Sequence, residues 1–128
     1  MTSTSNRKSA IVTGGASGIG LAMVRHFASQ GYYVAIFDVN AEPGKAVAAE
    51  VATEYPQAIV TFSKCDVSSW EQLAAAFKEV YLGAGRIDAV MANAGISFLA
   101  SMPNTTDEPS KPSTKILDIN LVGVIYSE

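Results

Sequence analysis

The chain has 128 residues, 48% hydrophobic and 16% charged, with a formal net charge of −3. That length fits one domain of ordinary globular composition. An acidic balance gives no basis for a nucleic-acid-binding face or a polybasic membrane surface, and no apolar run approaches the roughly 20 residues of a membrane span. The single cysteine, Cys65, excludes an internal disulfide and reads as an intracellular, cytoplasmic chain. Residues 1–8 are polar, lack the apolar core of a signal peptide and read as a flexible tail.

The first element in chain order is a strand, Ser9 to Thr13. It runs into Thr13-Gly14-Gly15-Ala16-Ser17-Gly18-Ile19-Gly20, whose glycines are spaced Gly-x-x-x-Gly-x-Gly. A glycine-rich turn between strand and helix lets the backbone approach a pyrophosphate, which then rests on the N–H groups of the helix N-terminus. The spacing departs from the Gly-x-Gly-x-x-Gly fingerprint, so the agreement is with the mechanism. Gly14, Ser17, Gly18, Ile19 and Gly20 are the candidate cofactor residues here; a ligand-free turn would also use glycine. The helix is expected from Gly18 to Gln30, with Ile19, Ala22, Met23 and Phe27 on its apolar face and Gly31 as its stop. His26, the one histidine, lies at the surface or partly buried on this helix.

Tyr33 to Asp38 reads as a second, near-continuously apolar strand. Asp38 stands 18 residues past Gly20, where an acid would bind the adenosine ribose. A carboxylate there accepts from the ribose hydroxyls and repels a 2′-phosphate. Val39 follows instead of arginine and no base lies inside the loop, so the pattern favours NAD over NADP. The plainer role for Asp38 is a turn residue or helix cap. Pro43 opens the next helix, where Val47, Val51 and Tyr55 share a face ahead of Pro56.

Ala58 to Lys64 is the third strand, and Cys65 at its end reads as a small buried thiol. Asp66 could accept from an adenine amino group with Val67 against the ring; a helix-flanking acid is an equal alternative. Ser68-Ser69-Trp70-Glu71 reads as a capping box. The helix it opens carries Trp70, Leu73, Ala74, Phe77, Val80 and Tyr81 as a core stripe and ends at Gly83 and Gly85. Ile87 to Ala92 is the fourth strand. Asn93-Ala94-Gly95 follows, where small residues leave room for a cofactor and Asn93 can tie neighbouring loops. An ordinary Asn/Gly turn reads the same way. No ligand cluster for a metal is present. Ser97 to Ser113 is loop-like, and helical character returns from Thr114 to Glu128.

Alternating strands and helices predict an α/β, Rossmann-type doubly wound parallel sheet of order 3-2-1-4. Residues 9–128 would form a dinucleotide-binding domain, incomplete after about four strands and the start of a long helix. Ligands would bind beyond the carboxyl ends of the strands, near the switch between the first and fourth.

Together the motifs resemble the short-chain dehydrogenase/reductase family. The matching pieces are Thr13-Gly14-x-x-x-Gly18-x-Gly20, Asp38, Asp66-Val67, Asn93-Ala94-Gly95 and Ile119-Asn120-Leu121, with Gly85-Arg86-Ile87-Asp88 before the fourth strand. Lys111-Pro112-Ser113 and Leu117-Asp118-Ile119-Asn120 look most like NAD-dependent members similar to 15-hydroxyprostaglandin dehydrogenase. The resemblance implies NAD as cofactor and hydride transfer between it and an alcohol or ketone substrate. It implies for Asn120 a place in a proton relay with a serine and a Tyr-x-x-x-Lys pair.

That pair is not found between residues 1 and 128: Tyr32, Tyr33, Tyr55 and Tyr81 are followed four positions on by Ile36, Phe37, Ile59 and Gly85. Tyr126 lies two residues before the last, Glu128. The family's serine, tyrosine and lysine follow the helix that carries Asn120. The expectation is an NAD(H)-binding portion, inactive alone, that associates through its open sheet edge or last helix. A non-catalytic NAD-binding or regulatory module, or a repurposed non-redox enzyme, would share the same cradle.

Overall fold

Four apolar runs form one parallel sheet because β-branched and aromatic residues suit a pleat covered on both faces. The computed structural model describes residues 7–94. The elements are β1 (Ser9–Thr13), α1 (Gly18–Ser29), β2 (Tyr33–Asp38), α2 (Ala41–Glu54), β3 (Ile59–Lys64), α3 (Trp70–Ala84) and β4 (Ala89–Met91). The strand order is β3-β2-β1-β4, as predicted, with every pairing parallel. Gly95, the 97–113 loop, the 114–128 helix with Asn120, and residues 1–6 of the tail lie outside the described residues.

Strand periodicity divides the core into two halves. Ile11, Ala35 and Phe37 face α3, where they pack with Leu73, Ala76, Val80 and Ala84. Val12, Val34 and Ile36 face the other side, against Val24 and Ala28 of α1 and Ala48 and Val51 of α2. All five β1 residues are buried, and β2 is buried from Val34 to Asp38. β3 departs from the expected two-sided burial: its ends, Ile59 and Lys64, are exposed because it is the outer strand beside β2. β4 flanks β1 and is half-buried.

Several local expectations shift. The buried face of α1 is Gly20, Val24 and Ala28, not the set led by Ile19, which is 75% exposed; Ala22 is exposed too. Met23 and Phe27 only flank that core half-buried. Small residues win because α1 lies close to the sheet. The helix ends at Ser29, one residue before the expected Gln30, and Gln30 and Gly31 donate to the last carbonyls. α2 starts at Ala41 with Asn40 as N-cap, so Pro43 sits within the first turn, where no N–H is required.

The predicted capping box gives way to a single cap one residue later, since Ser69 N donates to Asp66 O and not to a side chain of the first turn. Ser69 is the N-cap of α3 and its hydroxyl accepts from Gln72 N at 3.3 Å. α3 buries Leu73, Ala76, Val80 and Ala84, and Phe77 packs half-buried against that core beside Phe37, so the expected stripe holds at Leu73, Phe77 and Val80; Ala74, Trp70 and Tyr81 are exposed, the last two at 59% and 58%. Gly83 lies inside the helix, and Gly85, at φ 79°, ends it in the left-handed region. β3 begins at Ile59 and not Ala58, and β4 is shorter than the expected Ile87–Ala92.

The amino-terminal end of the sheet is clamped. Asp88 Oδ2 accepts from Ser9 N at 2.8 Å, and Asp88 N donates to Ser9 O at 3.0 Å. Arg86 binds the Asp88 carboxylate through Nε and Nη2, and Ser9 Oγ donates to Arg86 O. The Arg86 guanidinium and the Ser9 N–H hold the Asp88 carboxyl below the usual carboxylate range. Arg7 donates to Gly31 O and Gln57 O, and Lys8 O accepts from Tyr33 N, which ties both residues to the domain.

Candidate functional site

The carboxyl ends of all four strands open into one cleft of about 330 Å³. It is lined by Gly14, Ser17, Ile19, Phe37, Asp38, Val39, Asn40, Cys65, Asp66, Val67, Asn93 and Ala94. Parallel strands place these four chain segments side by side although up to 80 positions separate them. The structure therefore gathers every described candidate residue at this end of the sheet, with Gly18 and Gly20 in the first turn of α1 above it.

The loop is shaped by what its glycines exclude. Gly18 has φ +59° and open space where a side chain would stand. Gly20 is the opposite case: a methyl there would overlap the Gly14 carbonyl and come within 2.6 Å of Asn93 Nδ2. The first turn of α1 is therefore pressed onto the loop it leaves. Ser17 is the N-cap, yet its hydroxyl makes no capping bond, and no acidic residue lies in the first turn. The donors of this helix start face a cradle without a side-chain carboxylate of their own, the arrangement that suits a phosphate.

Asp38 is 9% exposed and bound on several sides. Its Oδ2 accepts from Ala16 N at 3.1 Å and its Oδ1 from Asn40 N at 3.1 Å. The turn role and the position at the cleft hold together, because a carboxylate offers about four acceptor positions. Asp66 likewise combines a turn role with a place at the cleft. Its Oδ1 accepts from Ser68 N at 3.0 Å and Ser68 Oγ at 2.6 Å, while the residue lines the cleft. Cys65 is buried, as expected, and burial with the Asp66 charge pushes its thiol up to about 11.

Asn93 ties the loops. Its Nδ2 donates to Thr13 O at 3.2 Å and Gly14 O at 3.4 Å. Two residues with positioning work were given no role from the sequence, Thr13 although it opens the glycine motif, and Gln72. Thr13 Oγ1 accepts from Asn93 N and Ala94 N, each at 3.0 Å, and lies 3.4 Å from Met91 O as donor. Gln72 Oε1 accepts from Asp66 N at 2.9 Å, holding the β3–α3 turn from the first turn of α3. A buried threonine at a strand end was a usable signal for the first; nothing local marked the second.

The short chain dehydrogenase family profile matches residues 8–127. The chain belongs to this family. Among its relatives, the NADP-dependent dehydrogenase clz5 of Cochliobolus lunatus is 40% identical over 94% of the chain and 43% of its own length. The 5′-hydroxyaverantin dehydrogenase of Dothistroma septosporum is 36% identical over the same shares. The chain thus spans less than half the length of these curated relatives. Among solved structures, an NAD+-bound xylitol dehydrogenase superposes with a TM-score of 0.80 at 29% identity, covering 94% of this chain and 45% of its own. An alcohol dehydrogenase from the archaeon Thermococcus sibiricus, complexed with 5-hydroxy-NADP, gives 0.82 at 28% identity, covering 95% and 50%. No helix among the described residues is long and apolar enough to cross a membrane.

Proposed function

We propose that this chain is the NAD(H)-binding portion of an oxidoreductase acting on an alcohol or ketone. The observation that carries the cofactor choice is Asp38, a buried carboxylate held at the cleft by two backbone N–H groups. Among the described residues, no lysine or arginine lines the cleft, and Asp66 adds a second carboxylate. A 2′-phosphate would bring nearly two negative charges against Asp38. At an effective dielectric of 20, one pair of unit charges 4 Å apart repels by about 4 kcal/mol. That exceeds the roughly 1 kcal/mol of a replacement hydrogen bond. On this reading the chain departs from the NADP-dependence that the clz5 relative's name carries.

The residues present fit the cofactor. The Ser17–Gly20 helix start would hold the pyrophosphate, Asp38 the adenosine ribose, and Asp66 with Val67 the adenine. Asn93 and Ala94 would floor the central part, with Gly95 beyond them. Bound NAD supplies the family's chemistry, hydride exchange with the carbon of an alcohol or ketone. Asn120 is proposed for the proton relay, acting with a serine and a Tyr-x-x-x-Lys pair of the whole protein. The likeness at 111–113 and 117–120 to 15-hydroxyprostaglandin dehydrogenase makes oxidation of a hydroxyl with NAD the first reaction to assay.

Fluorescence titration with NADH and NADPH tests the cofactor reading. NADH should bind at least tenfold more tightly than NADPH, and Asp38→Ala should weaken NADH. Absence of binding by the folded chain, or a preference for NADPH, overturns the assignment.

A further inference from the structure

Asp38 makes more contacts than a ribose acceptor needs. Its carboxylate reaches back 22 positions to Ala16 N, in a buried hydrogen bond of 3.1 Å. Its second oxygen accepts from Asn40 N, and its main-chain carbonyl accepts from Cys65 N at 3.0 Å. One residue therefore joins the glycine loop, the entry of α2 and the end of β3. Gly14 N donates to Phe37 O at 2.7 Å, which continues the β1–β2 ladder one step into the loop. Past that step, Ala16 is the next point at which the loop is fastened to β2, and only a side chain reaches it. Ala16 is 8% exposed and immediately precedes Ser17, whose hydroxyl does not cap α1.

We infer that Asp38 is a positioning residue for the glycine loop, holding Ala16 so that the Ser17–Gly20 donors are set for a pyrophosphate before cofactor arrives. A bond from N–H to a buried carboxylate is roughly twice as strong as a neutral one. Ordering the loop in advance also removes that cost from binding. The inference rests on the dinucleotide reading of the cleft and goes beyond the ribose contact. Replacing Asp38 then does more than relax the choice between NAD and NADP. It loosens the loop and weakens ligands that never reach the adenosine ribose.

Two measurements test this: amide hydrogen exchange of the ligand-free chain, and binding of reduced nicotinamide mononucleotide, which has no adenosine ribose. In Asp38→Ala, exchange at Ala16 should accelerate at least tenfold while Val12 and Val34 keep their protection. Binding of the mononucleotide should weaken by about tenfold, the scale of one charged hydrogen bond. Asp38→Asn keeps one side-chain oxygen and should fall between wild type and Asp38→Ala on both readouts. Should Asp38→Ala not fold, Asp38→Asn carries the test, with Ala16 exchange severalfold faster and Val12 unchanged. Unchanged Ala16 exchange, or acceleration shared equally by Val12, overturns the inference. So does mononucleotide binding that stays constant while NADH binding falls, since that is a ribose contact alone. If the wild-type chain binds neither nucleotide yet Ala16 exchange accelerates as stated, the loop-holding role stands and the dinucleotide reading falls.

Discussion

At the scale of single residues, two glycines of one loop do opposite jobs. Gly18 holds a left-handed backbone with empty space around it, so a side chain would strain the chain but strike nothing. Gly20 has helical neighbours and no room: a methyl would meet the Gly14 carbonyl and Asn93. Gly18→Ala should therefore cost the left-handed penalty of about 1–2 kcal/mol. Gly20→Ala should cost about 3 kcal/mol, because the loop and Asn93 must move apart in a close-packed region. Urea unfolding of the two variants checks the order. Equal costs, or a Gly20→Ala cost below about 1 kcal/mol, would show that α1 is not pressed against the loop.

At the scale of elements, the Arg86–Asp88–Ser9 clamp joins β1 to the start of β4 at the end of the sheet opposite the cleft. Because Asp88 titrates below its ordinary 3.8 in the folded chain, its contribution is complete above that value and is lost as pH falls through the lowered one. Asp88→Asn should flatten the acid limb of the stability profile below the ordinary carboxylate value of 3.8, relative to wild type. Urea midpoints across that window decide it, and parallel profiles would remove Asp88 as an acid-labile link. The strands themselves were readable from apolar runs, and their order followed from parallel crossovers. Helix faces were less readable. The packing face of α1 is Gly20, Val24 and Ala28, and two of these three side chains are too small to stand out in a hydropathy pattern. On α3 the large Trp70 and Tyr81 outweighed Ala76 and Ala84 in the pattern, yet lie on the outer face. The cap shifted by one because Ser68 and Ser69 both offer a hydroxyl. The contacts that decided it, Ser69 to Gln72 N and Asp66 to Ser68, depend on how the chain leaves β3.

At the scale of the molecule, the cleft is where separate parts of the fold meet. Its residues come from the ends of β1, β2, β3 and β4, and its two carboxylates are each fixed by the turn that follows their strand. The positions of Asp38, Asp66 and Asn93 were legible because a parallel sheet sends every strand's carboxyl end to one side. The bonds that lock them, from Thr13, Ala16 and Gln72, were not, since each depends on side-chain reach across elements. A ligand spanning this cleft contacts groups assembled only in the folded chain, so its binding energy adds to global stability. At a concentration one hundred times its Kd, that gain is about 2.7 kcal/mol. For a domain near this size the melting temperature should rise by roughly 10 °C with NADH. NADPH at the same concentration should give a smaller shift, because the repulsion at Asp38 lowers its occupancy. Thermal melts of the chain with each nucleotide read this directly. Equal shifts from the two nucleotides would contradict Asp38 as the discriminating group, and no shift at an NADH concentration shown to saturate would mean that binding does not require the assembled cleft.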